Sequence, residues 1–345
     1  MDLKIATALM NNAGGKFKIV SLALFILLFS VDVFAQSVKQ KEFFNSGLTK
    51  AKAGQLDGAI VDFTESIKAA ERDFPEKLVG DNPVPGNETK LLSQTYYYRA
   101  VGLAATGKKE DAVNDLDKAV KYDINFIDAY VLRGKTCNAL GEYKRSNDNL
   151  KVASTLFPNN FDIWLHLGIA NQNLDNDAKA IEYFNTAIKI KSDNVQSYIE
   201  RSKCYLKLEK YQEALVDANK AVKMDSKNSD GYLCRGVIYR YMEEFEFAIR
   251  DYTTAVTYNP NNAVAYYNRG IAHSKVDEHQ KAIQDYSKAI ELSPEDDEAY
   301  LNRGIEKLIL DKPADACSDI KVAADLGNKN GKQFFQNEGK VICNQ

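Results

Sequence analysis

Hydrophobic and polar positions recur along most of the chain with a period of 34 residues. Within one period, an aromatic residue at the fourth position and a small residue at the eighth lie at helical spacing. A polar stretch follows, and then small residues recur at positions 20 and 27, again at helical spacing. Two helix-spaced segments separated by a polar stretch predict two antiparallel helices in each copy.

Eight copies of this period align, and the last seven follow one another without insertion. The copies begin at Gln40, Ser93, Ile127, Phe161, Val195, Ser229, Ala263 and Asp297. The first copy therefore spans residues 40–73, and the other seven span residues 93–330. Because helix pairs that repeat in this way bury their apolar faces against their neighbours, the pattern predicts an all-α stack of hairpins.

The fullest copy of the motif reads Tyr232-x2-Arg235-Gly236-x2-Tyr239, then Ala248-x3-Tyr252, then Pro260. This series resembles the tetratricopeptide repeat, and the resemblance covers residues 40–73 and 93–330. It implies a right-handed α-solenoid of helix-turn-helix repeats. In that family, the first helices line a concave groove that binds a peptide or a helix of a partner protein.

Arginine at position seven and aspartate at position 23 occur together in five copies. The pairs are Arg99 and Asp115, Arg201 and Asp217, Arg235 and Asp251, Arg269 and Asp285, and Arg303 and Asp319. Where position seven is Leu167, position 23 is Tyr183. This co-occurrence predicts an ion pair between the two helices of one hairpin. The alternative is that the five arginines bind an anionic ligand.

The resemblance also indicates which residues would contact a partner, since the family lines its groove with positions two, five, nine, twelve and thirteen. The apolar candidates are Tyr97, Leu233, Val237, Tyr241, Tyr267, Ile271, Leu301 and Ile305. Tyrosine and aliphatic side chains together can anchor an amphipathic helix or an extended peptide. Positions five and nine also contact neighbouring first helices, so packing is the alternative role for some of these residues.

The repetition breaks in two places. Residues 74–92 match no part of the period, and we expect an inserted loop that either contacts a partner or acts as a mobile spacer. Residues 331–345 place four apolar residues on one helical face: Phe334, Phe335, Val341 and Ile342. We expect a capping helix here, because the last hairpin of an array otherwise exposes its apolar side.

The N-terminus has the order of a signal peptide. Lys16 and Lys18 precede an apolar run, and the small-residue frame Val33-Phe34-Ala35 follows it. The run is shorter than the roughly 20 residues that span a bilayer. We therefore expect residues 1–35 to be cleaved and the protein to reach the periplasm or the extracellular space. The alternative is a retained leader that anchors the chain in a membrane.

An exported chain permits disulfides, and the sequence has five cysteines. Cys317 opens the second helix of the last repeat and Cys343 lies near the chain end, so antiparallel packing would bring them together. Cys204 and Cys234, on neighbouring first helices, either pair or act as small packing residues. Cys137 is then an unpaired core residue.

Charge and chemistry limit the function. Lys and Arg total 45 against 48 for Asp and Glu, without a long basic run, so we expect no nucleic-acid partner. His166, His273 and His279 lack metal-ligand or triad spacing, so we expect exposed histidines, no metal, no cofactor and no enzymatic activity. The prediction is a non-catalytic scaffold of the cell envelope that binds an unidentified protein or peptide. The alternatives are a membrane-attached assembly or secretion factor and a saccharide- or peptide-processing protein.

Overall fold

The computed structural model describes residues 38–73, 86–336 and 339–343, and these residues form helices joined by short turns. The predicted all-α class is confirmed, since no strand occurs in the described part of the chain. The helices are α1 (Val38–Lys52), α2 (Leu56–Asp73), α3 (Asn87–Ala105), α4 (Lys109–Tyr122), α5 (Ile127–Ala139), α6 (Tyr143–Leu156), α7 (Phe161–Asn173), α8 (Asp177–Ile190), α9 (Val195–Lys207), α10 (Tyr211–Met224), α11 (Ser229–Tyr241), α12 (Phe245–Tyr258), α13 (Ala263–Lys275), α14 (His279–Leu292), α15 (Asp297–Ile309), α16 (Pro313–Leu326), α17 (Lys329–Gln336) and α18 (Gly339–Ile342).

The chain divides into two compact units, residues 1–190 and residues 191–345. The first contains the hairpins α1–α2 to α7–α8, and the second contains α9–α10 to α15–α16 with α17 and α18. Within each unit, the two helices of a hairpin pack on each other, and the second helix packs on the first helix of the next hairpin. This is the stacking expected of helical repeats.

Asparagine or aspartate caps most of the first helices. The Asn228 side chain accepts a hydrogen bond from the backbone N–H of Gly231 at 2.9 Å, which satisfies one of the unpaired donors of the first turn. Asn160, Asn194, Asn262 and Asp296 do the same at the starts of α7, α9, α13 and α15. The short turn inside each of these hairpins includes a residue with positive φ, such as Asp277 at 59°. The caps and turns together fix where each helix begins and where each hairpin reverses.

Glycine at position eight lets the two helices of a hairpin approach closely. A Cβ on Gly270 would lie 2.7 Å from Cε1 of Tyr286, and one on Gly168 would lie 2.4 Å from Cε1 of Phe184. Both rings are fully buried, or nearly so, and have no room to withdraw.

We expect Gly270→Val to lower the free energy of unfolding by about 1–3 kcal/mol, because its side chain overpacks the crossing with Tyr286. Gly231→Ala is the matched control in a neighbouring first helix, since its Cβ would meet its nearest atom, Cγ2 of Val222, at an ordinary 3.5 Å. Urea unfolding followed by circular dichroism measures both variants. Equal stability of the two would contradict the packing argument.

The boundary of the predicted insertion was wrong at its C-terminal end. Helix α3 begins at Asn87, so residues 87–92 are helical and not part of a loop. Leu92 and Tyr96 are four residues apart and both buried, so the apolar face of the first helix extends upstream of the repeated period. The Thr89 hydroxyl caps the start of α3, because it accepts a hydrogen bond from the backbone N–H of Gly86 and donates one to the backbone C=O of Gly86. Residues 74–85 lie outside the described residues, and both roles considered for them stay predictions.

The chain end covers the last hairpin with two short helices instead of one capping helix. Helix α17 starts at Lys329, where the Asn328 side chain accepts a hydrogen bond from the backbone N–H of Gly331 at 3.0 Å. Phe334 and Phe335 pack on the buried cluster around Ile320. A disulfide joins Cys317 to Cys343, with Cα atoms 5.7 Å apart. Cys137, Cys204 and Cys234 are buried thiols, so no disulfide joins Cys204 to Cys234.

Candidate partner-binding surface

Five of the six arginines at position seven each bind the aspartate of position 23 through two hydrogen bonds. In α11 and α12, Arg235 Nε and Nη2 donate to Asp251 Oδ2 and Oδ1, both at 2.7 Å. These hydrogen bonds raise the pKa of Arg235, although burial alone would lower it. Arg99, Arg201, Arg269 and Arg303 make the same contacts with Asp115, Asp217, Asp285 and Asp319 at 2.6–2.8 Å. These guanidinium groups hold hairpins together and leave little capacity for an anionic ligand.

A further contact of these arginines links neighbouring repeats, and the sequence analysis missed it. Arg269 Nη1 donates to Thr253 Oγ1 at 3.1 Å, and Arg303 Nη1 donates to Ser287 Oγ at 3.0 Å. In both cases the acceptor lies at position 25 of the preceding repeat. The polar residues at that position were the available signal. Each of these arginines therefore joins the two helices of its own hairpin and also links that hairpin to the preceding one.

In repeat three, the arginine of position seven lacks the aspartate on the second helix that the other five arginines bind. Arg133 occupies position seven, but position 23 is Asn149 instead of aspartate. Arg133 Nη1 binds Asp117 of the preceding repeat at 2.9 Å, and its buried Nε has no hydrogen-bond partner. Asn149 Nδ2 is likewise buried without a partner. Positions seven and 23 of repeat three thus each carry an unpaired buried donor, where five other repeats pair arginine with aspartate.

We expect Asn149→Asp to raise the free energy of unfolding by about 1 kcal/mol, because a carboxylate gives the buried Arg133 Nε an acceptor. Urea unfolding of the protein, followed by the fluorescence of Trp164 in the same unit, measures the change. Asn149→Leu is the control that removes the unpaired donor without adding an acceptor. Stabilisation by leucine but not by aspartate would contradict the pairing argument.

Two of the eight candidate groove residues are buried, so they pack in the core and do not face a partner. Tyr97 is 8% exposed and contacts the ring of Phe126 at a centroid distance of 4.8 Å. Leu301 is 6% exposed and lies in the cluster with Ile320 and Ala323. Both occupy position five, which turns toward packed neighbours. The packing alternative is therefore correct for these two residues.

Four further candidates are half-buried: Leu233, Val237, Tyr267 and Ile271. Leu233 packs on buried alanines and on Val256, so most of its surface serves the array. The Tyr267 hydroxyl accepts a hydrogen bond from Asn302 Nδ2 at 3.0 Å, which links α13 to α15. Burial raises the pKa of Tyr267, and so do the charges of Glu298 and Asp296. The Tyr267 side chain mainly joins two repeats, and only part of its surface is exposed to a partner.

The last two candidates are exposed, and they identify the accessible surface. Tyr241 is 52% exposed and Ile305 is 41% exposed. Ile309, which the sequence analysis did not name, is 54% exposed and lies one helical turn beyond Ile305. These residues occupy positions nine and thirteen. We define the first-helix face as positions nine and thirteen of α9, α11, α13 and α15. Its members are Lys203, Lys207, Val237, Tyr241, Ile271, Lys275, Ile305 and Ile309.

The first-helix face is continuous within the second unit, because α9 packs on α11 and α11 packs on α13. Helix α15 joins α13 through the contact between Tyr267 and Asn302 and through Ser274 Oγ, which donates to Glu306 Oε1 at 2.6 Å. The apolar part of this face extends from the exposed Tyr241 on α11, past the half-buried Ile271 on α13, to the exposed Ile305 and Ile309 on α15. Such a surface can bind the apolar side of a peptide or helix.

The expectation of exposed histidines was wrong. His273 is buried, with Nδ1 2.5 Å from Glu278 Oε2, and His279 Nδ1 lies 2.7 Å from Glu306 Oε2. His166 is half-buried, and its Nδ1 has no hydrogen-bond partner. Burial, together with the charge of Lys135, lowers the pKa of His166 to about 4. The described residues contain no group of three or more His, Cys, Asp or Glu side chains that could hold a metal ion.

The lowered pKa of His166 predicts acid destabilisation. The unfolded chain protonates this histidine near pH 6.5, whereas the folded chain does so near pH 4, so folding stability is lost as the pH falls between these values. At pH 5, we expect the parent to have lost about 2 kcal/mol more than His166→Gln, relative to pH 7.5. Urea midpoints at several pH values test this. Parallel pH curves for the two proteins would contradict the assignment.

Comparisons with known proteins agree with the repeat architecture. Tetratricopeptide repeat family models match residues 161–194, 195–228 and 263–296, and a related repeat model matches residues 236–277. The matched segments carry the helix pairs and the glycine–aromatic crossings described above. The chain is a tetratricopeptide repeat protein. Proteins built from these repeats are generally non-catalytic, and this tetratricopeptide repeat chain is a protein-interaction scaffold.

Solved structures of other helical-repeat proteins share the fold of this tetratricopeptide repeat chain. A tetratricopeptide repeat protein from Parabacteroides merdae covers 72% of the chain and 98% of its own length, with 17% identity and a TM-score of 0.56. Pseudomonas aeruginosa pilF covers 61% of the chain and 97% of its own length, with 18% identity and a TM-score of 0.55. The APC/C hetero-tetramer Cut9-Hcn1 covers 100% of the chain and 67% of its own length, with 12% identity and a TM-score of 0.59. No curated protein matches the sequence. At these identities, the structures show the fold alone.

None of the helices in the described part of the chain is both long enough and apolar enough to span a membrane.

Proposed function

We propose that this tetratricopeptide repeat protein is a non-catalytic scaffold of the cell envelope that binds a segment of a partner protein on the first-helix face. The exposed apolar side chains of Tyr241, Ile305 and Ile309 are the observation that carries this proposal. Tyr241 lies on α11 and the two isoleucines lie on α15, with the half-buried Ile271 of α13 between them. Aromatic and aliphatic side chains in such a row anchor bound peptides and helices.

Export is the second part of the proposal. Its support is the order of Lys16, Lys18, the apolar run and Val33-Phe34-Ala35. The disulfide between Cys317 and Cys343 also supports export, because such bonds persist mainly in oxidising compartments. A membrane-attached assembly or secretion factor is the alternative. N-terminal sequencing of the mature protein distinguishes the two, since a cleaved chain begins at Gln36.

The binding proposal is tested by affinity capture from envelope extract with the full chain as bait. The face variant combines Tyr241→Asp, Ile305→Asp and Ile309→Asp. Its matched control combines Val216→Asp, Phe247→Asp and Tyr258→Asp, which change exposed apolar residues of second helices in the same unit. Circular dichroism at 222 nm verifies that both variants retain the parent helicity.

We expect a protein that the parent and the control capture but the face variant does not. If the control variant fails to capture this protein and the face variant still captures it, the binding site lies on the second helices, which would contradict the proposal. Capture of small molecules, but of no protein, would favour a saccharide- or peptide-processing role.

A further inference from the structure

The arginine at position seven of repeat three is oriented like its counterparts in the other repeats. Arg133 Nη1 donates to Asp117 at 2.9 Å, and Asp117 lies at position 25 of the preceding repeat. Position 25 of the preceding repeat also accepts a hydrogen bond from Nη1 of four other arginines: Arg99, Arg235, Arg269 and Arg303. The Arg133 guanidinium carbon lies 5.2 Å from the centroid of the Tyr130 ring, and the corresponding distances in the other repeats are 5.4–5.7 Å. Because both contacts are shared, the Nε–Nη2 edge of Arg133 is the edge that meets aspartate in the other five repeats.

The Nε–Nη2 edge of Arg133 has no acceptor among the described residues. Arg133 is 7% exposed, its Nε is buried without a hydrogen-bond partner, and its only hydrogen bond is the one that Nη1 donates to Asp117. Asn149 at position 23 has a single neutral oxygen, whereas an aspartate has two charged oxygens. Two parallel N–H groups on a guanidinium match the two oxygens of a carboxylate. The edge therefore keeps the donor geometry for a carboxylate that repeat three itself does not supply.

Position 23 is also more open in repeat three than in the repeats with aspartate. The five aspartates at this position are 3–5% exposed, whereas Asn149 is half-buried. Asn149 lines an open cleft of about 760 Å³ together with Gly141 of the α5–α6 turn, Tyr143 of α6 and Leu174 at the end of α7. A group from outside the chain can therefore approach position 23 through this cleft.

The cleft carries both signs of charge, so its net charge does not select a ligand. Its charged lining residues are Glu142, Lys144, Arg145 and Asp148. Arg145 is already engaged, since Nη1 binds Glu142 at 3.1 Å and Nη2 binds Asp117 at 2.6 Å. Asp117 is shared between Arg145 and Arg133 Nη1 and makes no hydrogen bond with the other edge of Arg133. The selective feature is the pair of donors on that edge, which two carboxylate oxygens satisfy together.

We propose that repeat three contains a binding site for a carboxylate from outside the chain. The carboxylate enters from the cleft and accepts hydrogen bonds from Nε and Nη2 of Arg133, as aspartate does in the other five repeats. Asn149 Nδ2, which is buried without a partner, is a further donor at this position. The carboxylate belongs to a small molecule or to an Asp or Glu side chain of a partner protein, and the recognised group is the same. This site lies in the first unit, so it is independent of the first-helix face and goes beyond the proposed function.

Titration of the isotope-labelled full chain with sodium formate tests the site, with NMR following the Nε–H signals of Arg133 and Arg99. We expect the Arg133 signal to shift and saturate with a Kd on the order of 10 mM, the range for one small ion on one fork. Arg99 in the same unit is the internal control, because Asp115 already occupies its fork. In Asn149→Asp the chain supplies its own carboxylate, so the Arg133 signal should no longer respond. An unchanged Arg133 signal in the parent, or an equal response to sodium chloride, would overturn the inference.

A displayed library of random dodecapeptides then distinguishes the two sources of the carboxylate. The library is selected on the parent and compared on Asn149→Asp at equal helicity. Peptides that require an Asp or Glu and lose at least tenfold in affinity for Asn149→Asp would assign the carboxylate to a partner protein. Formate binding without such peptides would assign it to a small molecule. Because neither measurement involves Ile305 or Ile309, failure of this inference leaves the proposed function intact.

Discussion

Asp251→Leu should lower the free energy of unfolding by about 3 kcal/mol, because it leaves the guanidinium of Arg235 partly buried without its carboxylate. Asp251 is 5% exposed and accepts both hydrogen bonds of the fork. The loss should be concentrated in α11 and α12. Hydrogen exchange of those helices, together with urea unfolding, measures it.

The chain contains its own control for this ion pair. Repeat four has Leu167 and Tyr183 at the same two positions, with Leu167 fully buried and Tyr183 packed on its cluster. The double variant Arg235→Leu with Asp251→Tyr copies that arrangement into repeat six. It should recover most of the lost stability, since replacing both partners of a buried ion pair with packed apolar groups is often neutral. A double variant as unstable as Asp251→Leu would show that the pair is not exchangeable.

Loss of the disulfide should release the chain end. The bond between Cys317 and Cys343 closes a loop with a sequence separation of 26 residues, and its removal should cost about 3 kcal/mol through the greater chain entropy of the unfolded segment. We expect faster hydrogen exchange in α17 after treatment with a reductant, because the cluster of Phe334 and Phe335 then holds the end alone. Exchange in α9 should not change.

The Cys317→Ser and Cys343→Ser double variant is the matched control for reduction. It should exchange like the reduced parent and should not respond further to the reductant, because the remaining thiols, Cys137, Cys204 and Cys234, are buried and make no disulfide with each other. Equal exchange of oxidised and reduced parent in α17 would show that packing alone holds the chain end.

The repeat period was sufficient to predict the fold class because each copy carries the same crossing and the same helix starts. Helices α11 and α13 begin at Ser229 and Ala263, the first residues of their copies. The period could not predict the upstream extension of α3 to Asn87, since a comparison of copies detects only what the copies share, and this extension is not shared. Leu91 and Leu92, both buried, were the local signal.

The partner-binding surface was harder to predict than the fold. Position numbers locate a side chain on a helix, but exposure depends on the neighbouring hairpin. Tyr97 and Leu301 at position five are therefore covered, whereas Ile305 and Ile309 at positions nine and thirteen are open.

Site-specific photocrosslinking in cells that produce the protein tests the central claim most directly. A photoreactive amino acid would replace Ile309 on the first-helix face or, as the control, Val216 on α10, which is 68% exposed. We expect a partner protein to crosslink from position 309 and not from position 216, and the crosslink to disappear when Tyr241→Asp and Ile305→Asp are added. Crosslinks from position 216 alone would contradict binding on the first-helix face.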